Sequence, residues 1–264
     1  VNEDTAMPTS WGMNQPGMQA DKELPKKVQV DASLMWLIAR DNCVNHTRNL
    51  VSWKVHKQVA NRILEPWHHI SVVCTATDFE NFFDLRIDSA AQPEIRDLAV
   101  AMAEEYFTST PREAPNYAYH TPYVDKEDVE LVLEDYGMEL SFVLNKLSVA
   151  RCARVSYLNH EGKRPEVEKD IGLHDMLLSD RHMSPFEHVA RPVSPSDKDT
   201  PTGNFTGWVQ YRKELERHSE KPVYLKEQHL KRMKDLGLTT KLSGKKDSTG
   251  ASTSSPSASS TTTS

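Results

Sequence analysis

The sequence predicts an α+β protein in which several helices pack around a small sheet. Apolar side chains recur at helical spacing in three long stretches, residues 32–50, 93–106 and 140–154. One short β-branched run, residues 70–75, is typical of a strand or an extended segment, although a helix stays open for so short a run. The 264 residues suffice for one sizeable domain.

The chain divides by composition into three parts. Residues 1–30 are rich in Pro, Gly, Met and Asn and are predicted to form an extended lead-in. Residues 31–240 have an ordinary globular composition and should form the folded domain. Residues 241–264 are dominated by Ser and Thr, which cannot bury enough apolar surface to order themselves, so a disordered tail is expected.

Pro, Gly and capping patterns set the predicted helix boundaries. A helix over 55–64 should stop before Pro66, a helix should start at Pro93, and a helix over 126–136 should end at Gly137. Residues 77–80 and 184–187 carry the S/T-x-x-E pattern of a capping box. Further helices are expected at 166–178, 205–215 and 224–236, and polar loops at 108–124 and 191–203.

Composition and missing motifs exclude several function classes. The formal net charge of -6 argues against a general nucleic-acid or anionic-membrane binder, and no apolar run is long enough to span a bilayer. The three cysteines lack C-x-x-C spacing, so a cytoplasmic location is expected and no disulfide scaffold. Glycine-rich phosphate loops and standard zinc spacings are absent, so no metal ligand is predicted. Cys152 is interpreted as a buried structural residue rather than a nucleophile, as are Cys43 and Cys74.

Two arginines lie where a guanidinium could bind a phosphate. Arg62 shares a face of its predicted helix with Gln58, and Arg86 closes a short helix whose aromatic residues would hold it rigidly. On spacing alone, a merely solvated Arg62 is favoured. Arg86 could instead pair with Asp84 or Glu94, or serve the helix C-terminus.

Two further segments combine small or polar residues with charges. Small residues between Arg151 and Arg154 would let a flat ligand or another backbone approach, but two surface arginines on a tightly packed helix fit equally well. The Ser184 hydroxyl could contact an anion while Glu187 caps the helix in return, although a simple capping box is favoured in isolation.

Together these segments resemble the flavin-dependent thymidylate synthases. Ala-Arg-Val-Ser at 153–156 and His-x-Ser-Pro-Phe-Glu-His at 182–188 match that family's flavin-facing segments. Asn-Arg-Ile-Leu-Glu-Pro at 61–66 matches its nucleotide-binding helix. Asn-Phe-Phe-x-Leu-Arg at 81–86, followed by Ala-Gln-Pro-Glu-Ile, matches its second nucleotide-binding segment.

The segment order is the reverse of the family's usual order, so the chain resembles a permuted, often phage-borne branch. The lead-in Trp-Gly-Met-Asn-Gln-Pro-Gly at 11–17 and the segment 203–213 recur in that branch. The family signature R-H-R-x-x-S-x-N-x-x-S-x-R does not occur in the chain. We therefore expect a truncated product or the second half of a split enzyme.

The resemblance implies an enzyme that binds FAD in a homotetramer and makes dTMP from dUMP without an active-site cysteine. Methylenetetrahydrofolate would supply the carbon and NADPH the reducing power. Further copies of the chain and a separately encoded N-terminal segment are the protein partners it implies. Nucleic acid and membrane are not expected as partners, and the location would be the cytoplasm, that of the host if the gene is a phage's.

The resemblance also assigns site residues. Arg62 and Arg86 should bind dUMP, Arg62 at the phosphate and Arg86 as the catalytic residue that stabilises charge as C5 of the ring reacts. By a looser match, Gln210 and Arg212 could reach the same nucleotide. The expected FAD contacts are Asn81, Ser156, His182, Ser184 and Glu187.

Two other functions stay open. One is a phage hydroxymethylase of pyrimidine nucleotides, which would differ from a thymidylate synthase in product mass. The other is an inactive or split fragment that only binds nucleotide or flavin together with a partner.

Overall fold

A computed structural model describes residues 5–16, 20–111, 113, 118–155, 166–198, 202–218, 231 and 233–236. The chain divides into two compact units, residues 1–216 and 217–264. In the second unit, residues 231 and 233–235 are helical, within the helix predicted at 224–236. The tail predicted at 241–264 lies outside the described residues.

The architecture is mostly helical with one small sheet, which confirms the α+β prediction. Strands β1 (Ala190–Pro192) and β2 (Trp208–Gln210) pair antiparallel, with Ala190 opposite Gln210. Tight 3-10 turns span Asn61–Trp67, Gly137–Glu139, Ser184–Glu187 and Pro195–Asp197. The helices are α1 (Lys26–Ser52), α2 (Lys57–Ala60), α3 (Glu80–Arg86), α4 (Pro93–Thr108), α5 (Lys126–Tyr136), α6 (Leu140–Ala153), α7 (Val167–Ser179) and α8 (Tyr211–His218).

Local chemistry explains the helix ends that were predicted correctly. Pro93 occupies the first turn of α4, where its missing N–H costs nothing. Helix α5 begins in a reciprocal capping box between Asp125 and Asp128. It ends at Gly137, whose φ of 50° favours a residue without Cβ. These signals act within a few residues, so the sequence alone reveals them.

Long-range contacts overturned other predictions. No capping box forms at 77–80, where α3 begins only at Glu80 and the Asp78 carboxylate accepts a hydrogen bond from the Glu80 amide. None forms at 184–187 either, where Glu187 pairs with Arg212. In the segment 205–215, predicted as one helix, strand β2 occupies Trp208–Gln210 and helix α8 begins only at Tyr211. The loop predicted at 191–203 contains part of β1 and a 3-10 turn. The helix predicted at 55–64 tightens after Ala60 into a 3-10 turn that includes Pro66. Residues 70–75 are not helical.

Helix α6 is the centre of the described fold. One of its sides packs with Val132 of α5 and Val167 of α7 around Leu147. Another side presents Val149 to a second cluster that holds Phe186, Val189 and Tyr211. Because α6 is buried on both sides, it links the α5–α7 layer to the segments around the small sheet.

A buried ion-pair network fixes the neighbours of α6. The Arg151 guanidinium donates to both carboxylate oxygens of Asp128 on α5, at 2.5 and 2.9 Å, and to Asp170 on α7 at 3.0 Å. Asp128 and Asp170 are fully buried, and Arg154 also pairs with Asp170. The sequence suggested either a ligand site or a surface arginine at Arg151, and neither interpretation is correct. The guanidinium forms ion pairs with carboxylates of α5 and α7 and so connects three helices.

We predict that Arg151→Ala lowers the free energy of unfolding by about 3–5 kcal/mol, because it leaves two buried carboxylates without their main cation. Urea unfolding at neutral pH measures this change. Lys169→Ala is the matched control, since it removes an exposed ion pair with Glu166 and should stay close to wild type. An Arg151→Ala protein as stable as the control would contradict the central role of this network.

Candidate functional site

Three segments that are distant in the chain meet around the small sheet. The Thr75 hydroxyl lies 3.0 Å from Nδ1 of His188. The backbone amide of Thr206 donates to the Thr77 hydroxyl at 3.1 Å, and the Gln210 side-chain amide donates to the backbone carbonyl of Glu187 at 3.2 Å. The segments 75–77, 182–188 and 203–212 therefore form one surface, which we call the junction.

The 182–188 segment is anchored by one aromatic side chain. Phe186 is fully buried against Val149 and Tyr211, while Ser184 on the same 3-10 turn and His182 just before it are exposed. The backbone amide of Tyr211 donates to the carbonyl of Val189 at 2.8 Å and fixes the end of the segment. This arrangement holds polar groups toward solvent on a rigid base, which suits a ligand-binding surface.

Gln210 and Arg212 are engaged within the protein. Gln210 is only 4% exposed, and Gly203, at a φ of 77°, lies so close to its amide that a Cβ at position 203 would collide with it. Arg212 pairs with Glu216 at 2.7 Å and also with Glu187. The hydrogen bond to Glu216, together with the Glu187 carboxylate, raises the pKa of Arg212.

A second ion cluster holds the strand pair to α8. Arg191 on β1 binds both carboxylate oxygens of Asp197, at 2.7 and 2.9 Å, and reaches Glu214 of α8 at 2.6 Å. The bond from Arg191 holds the pKa of Asp197 far below its usual range. Tyr119 donates to Glu214, and burial together with that carboxylate raises the pKa of the phenol. The cluster thus connects the strand pair, which carries Gln210 of the junction, to α8.

Arg86 sits at the end of a helix that aromatic rings hold in place. Phe83 of α3 lies 5.6 Å from Tyr106 and 5.9 Å from Phe107 on α4, between ring centroids. Arg86 is exposed, and the described residues include no ion pair between it and Asp84 or Glu94. The predicted anchoring is thus confirmed, and the side chain is accessible to an anion.

Asn81 and Arg62 are exposed as well. Asn81 lies on the first turn of α3, four residues after Thr77 of the junction. Arg62 lies on the 3-10 turn Asn61–Trp67, which follows α2. A hydrogen bond of 3.1 Å from the Ala6 amide to the Trp67 carbonyl holds this turn. Among the described residues, no hydrogen bond joins Arg62 to Arg86 or to the junction. Ser156 lies outside the described residues.

The structure adds residues that the sequence did not reveal. The sequence gives no hint of the contacts that Thr75 and Thr77 make, because their partners are more than 100 positions away. His174 on α7 is buried between Phe186 and Tyr211, with ring centroids at 5.0 and 6.2 Å. An isolated histidine on an amphipathic helix gives no hint of such a position.

The cysteines differ in burial. Cys152 is buried on α6, and burial raises the pKa of its thiol to about 11, so it is a poor nucleophile at neutral pH. Cys74 is exposed, so the interpretation as a buried residue is wrong there.

Within the described part of the chain, no cluster of His, Cys, Asp and Glu is placed to hold a metal ion. No helix described is long and apolar enough to cross a membrane.

Comparison with known proteins gives one match. The family model described as thymidylate synthase complementing protein matches residues 9–112. That stretch contains α1–α4 and therefore Arg62, Asn81 and Arg86. It confirms the family resemblance, whereas the permuted phage branch and the missing signature stay predictions. No curated protein and no solved structure matches the chain.

We predict that the stability contributed by His174 depends on pH. Burial lowers the pKa of His174 below its value of about 6.5 in an unfolded chain, against the opposing effects of Asp175 and with Lys146 nearby. Below about pH 6.5 the unfolded state therefore binds more protons, and stability falls as the pH drops, by at most about 1.4 kcal/mol per pH unit for one group.

Urea unfolding of wild type and His174→Phe at pH 7.5 and 5.5 checks this. The stability of wild type relative to the variant should be lower at pH 5.5 than at pH 7.5. An equal difference at both values would show that His174 is not held neutral in the folded protein.

Proposed function

We propose that this chain acts in the FAD-dependent methylation of dUMP to dTMP, because residues 9–112 match the family model described as thymidylate synthase complementing protein. In this proposal, methylenetetrahydrofolate supplies the carbon and NADPH reduces the flavin. The observation that carries it is the family match over the segment that presents Arg62 and Arg86. Both guanidinium groups are exposed, as binding of an anionic nucleotide requires.

The polar groups near the junction fit FAD in their chemistry. His182 and Ser184 are exposed on the turn anchored by Phe186, and Asn81 is exposed on α3. Imidazole, hydroxyl and amide groups supply the hydrogen bonds that a pyrophosphate and a flavin ring accept. We propose that these three residues hold FAD, which when bound supplies the reducing equivalents for the reaction.

The geometry favours Arg62 and Arg86 over Gln210 and Arg212 as the nucleotide ligands. Gln210 is buried, and its amide already donates to the Glu187 carbonyl. Arg212 would have to exchange Glu187 or Glu216 for a phosphate. Among the described residues no ion pair competes for Arg62 or Arg86, so phosphate binding there breaks no existing bond.

Arg86 is proposed to act on the pyrimidine ring. A guanidinium fixed at the end of α3 can stabilise negative charge that develops on the ring when C5 reacts. The aromatic contacts between α3 and α4 hold the helix that carries Arg86 in place before the substrate arrives, which reduces the entropy lost on binding. Cys152, with its raised pKa and buried thiol, has no part in this proposal.

We also propose that the active form contains several copies of the chain. Helix α1 leaves large apolar side chains in solvent, among them Val30 at 68% and Leu34 at 54% exposure. Association of such a surface with another copy would remove it from water, a favourable change of about 25 cal/mol per Å² of apolar area. A homotetramer, as the family resemblance implies, is the assembly we expect.

Flavin binding is the first test. The purified chain should take up FAD, and its visible absorption should change when dUMP is added, because the nucleotide would lie against the flavin. Turnover with methylenetetrahydrofolate and NADPH should then give a product with the mass of dTMP, whereas a mass greater by one oxygen would indicate hydroxymethylation. A protein that is colourless once free flavin has been removed after incubation with excess FAD contradicts the proposal.

We predict that Arg62→Ala and Arg86→Ala each weaken dUMP binding by about 1.5–3 kcal/mol, because each removes a charge-assisted hydrogen bond. Titration of the FAD-loaded protein with dUMP measures the affinities. Arg48→Ala is the control, since Arg48 is an exposed arginine of α1 whose described partner is Asn45, and it should bind dUMP as wild type does. Unchanged affinity in Arg62→Ala would remove that residue from the site.

A further inference from the structure

His174 is a buried residue that contacts two segments of the junction, 182–188 and 203–212. Its imidazole lies 5.0 Å from the Phe186 ring and 6.2 Å from the Tyr211 ring, between centroids. Phe186 anchors the segment that presents His182 and Ser184, and Tyr211 directly follows the last residue of β2. His174 is 1% exposed, so it contacts no ligand itself.

The hydrogen bonds around His174 determine which ring nitrogen carries the proton. Nδ1 lies 2.7 Å from Oδ1 of Asp175, and the same oxygen accepts a hydrogen bond of 2.8 Å from Lys146. An ionised carboxylate can only accept, so Nδ1 carries the proton. Burial lowers the pKa of His174, which keeps the ring neutral and leaves Nε2 as an acceptor.

Two complementary polar atoms remain in the interior. Nε2 of His174 and the hydroxyl of Tyr211 are both buried, and neither has a hydrogen-bond partner among the described residues. Burial raises the pKa of Tyr211 to about 12, so its hydroxyl keeps its proton and can donate. Buried polar groups that lack a protein partner are usually satisfied by an ordered water, and one water can bridge two polar atoms about 5.5 Å apart.

We propose that one ordered water links the Tyr211 hydroxyl to Nε2 of His174, and that His174 is thereby the positioning residue of the proposed flavin site. The link ties α7 to the 208–212 segment, while the ring contact with Phe186 ties it to the 182–188 segment. Lys146 and Asp175 set the tautomer on which the link depends. The positioning role rests on the proposed function, whereas the link itself does not.

A double-mutant cycle tests the link without any ligand. His174→Phe and Tyr211→Phe each keep an aromatic ring and remove one end of the link. Each should lower the midpoint of urea unfolding, and the double variant should lower it no further than the larger single effect. Tyr119→Phe is the matched control, because its hydroxyl donates to Glu214 and its ring packs edge-on against Tyr211. Its effect should add to that of His174→Phe.

Two further measurements distinguish a water-mediated hydrogen bond at His174 from a role of its ring in packing alone. The 15N spectrum of the wild-type imidazole should show a protonated Nδ1 and an unprotonated Nε2, and Asp175→Asn should disturb that pattern. FAD affinity should fall by about 2- to 10-fold in either single variant and no further in the double, the effect of one hydrogen bond. Glu166→Gln, which breaks an exposed ion pair on the same helix, should leave the FAD affinity unchanged.

The outcomes are distinct. Additive shifts of the urea midpoint, or a protonated Nε2, overturn the link. If the urea cycle supports the link but His174→Phe and Tyr211→Phe both bind FAD as wild type does, the positioning role is overturned. A wild-type protein that binds no FAD overturns the proposed function and with it the positioning role, while the urea cycle still decides whether the link exists.

Discussion

The ion-pair network of Arg151 is the constraint on which the rest of the described structure depends. Two carboxylates, on α5 and α7, are taken fully out of water, which is tolerable because the Arg151 guanidinium donates directed hydrogen bonds to both. Arg154 also pairs with Asp170, and the Asp125 amide donates to Asp128. The bonds of Arg151 fix the orientation of α6. Since α6 presents Val149 to the cluster of Phe186 and Tyr211, the network also determines where the junction can form.

The junction shows how exposed polar groups can be held in place by buried apolar ones. Two of its three segments, 182–188 and 203–212, are anchored by a buried side chain. Phe186 anchors the turn with His182 and Ser184, and the buried Gln210 anchors the loop that starts at Gly203. The binding surface therefore owes its shape to the interior, and substitutions beneath it are expected to change ligand binding without touching the ligand.

How much the sequence predicts depends on the distance over which the cause acts. Helix α5 was predicted to the residue from its amphipathic pattern and from Gly137, and its Asp125 capping box is likewise a local feature. Strand β2 was missed because its partner β1 lies 16 or more residues earlier, and its apolar spacing also fits a helix. The site residues Arg62 and Arg86 came from family resemblance rather than from physical reasoning, which favoured a solvated Arg62. No local pattern announces the contact between Thr77 and Thr206.

The arginines divide by their environment into two groups, and this division supports the proposed roles. Arg151, Arg191 and Arg212 are ion-paired with carboxylates from other elements, so their charge is used in holding the fold together. Arg62 and Arg86 stand exposed on short elements that tryptophan or phenylalanine rings hold in place, without an ion pair among the described residues. An arginine whose element is held in place and whose guanidinium has no protein counter-ion gains the most from an anionic ligand, because binding breaks no existing ion pair. The same reasoning ranks Arg212 below them, since a phosphate there would first have to displace Glu187 or Glu216.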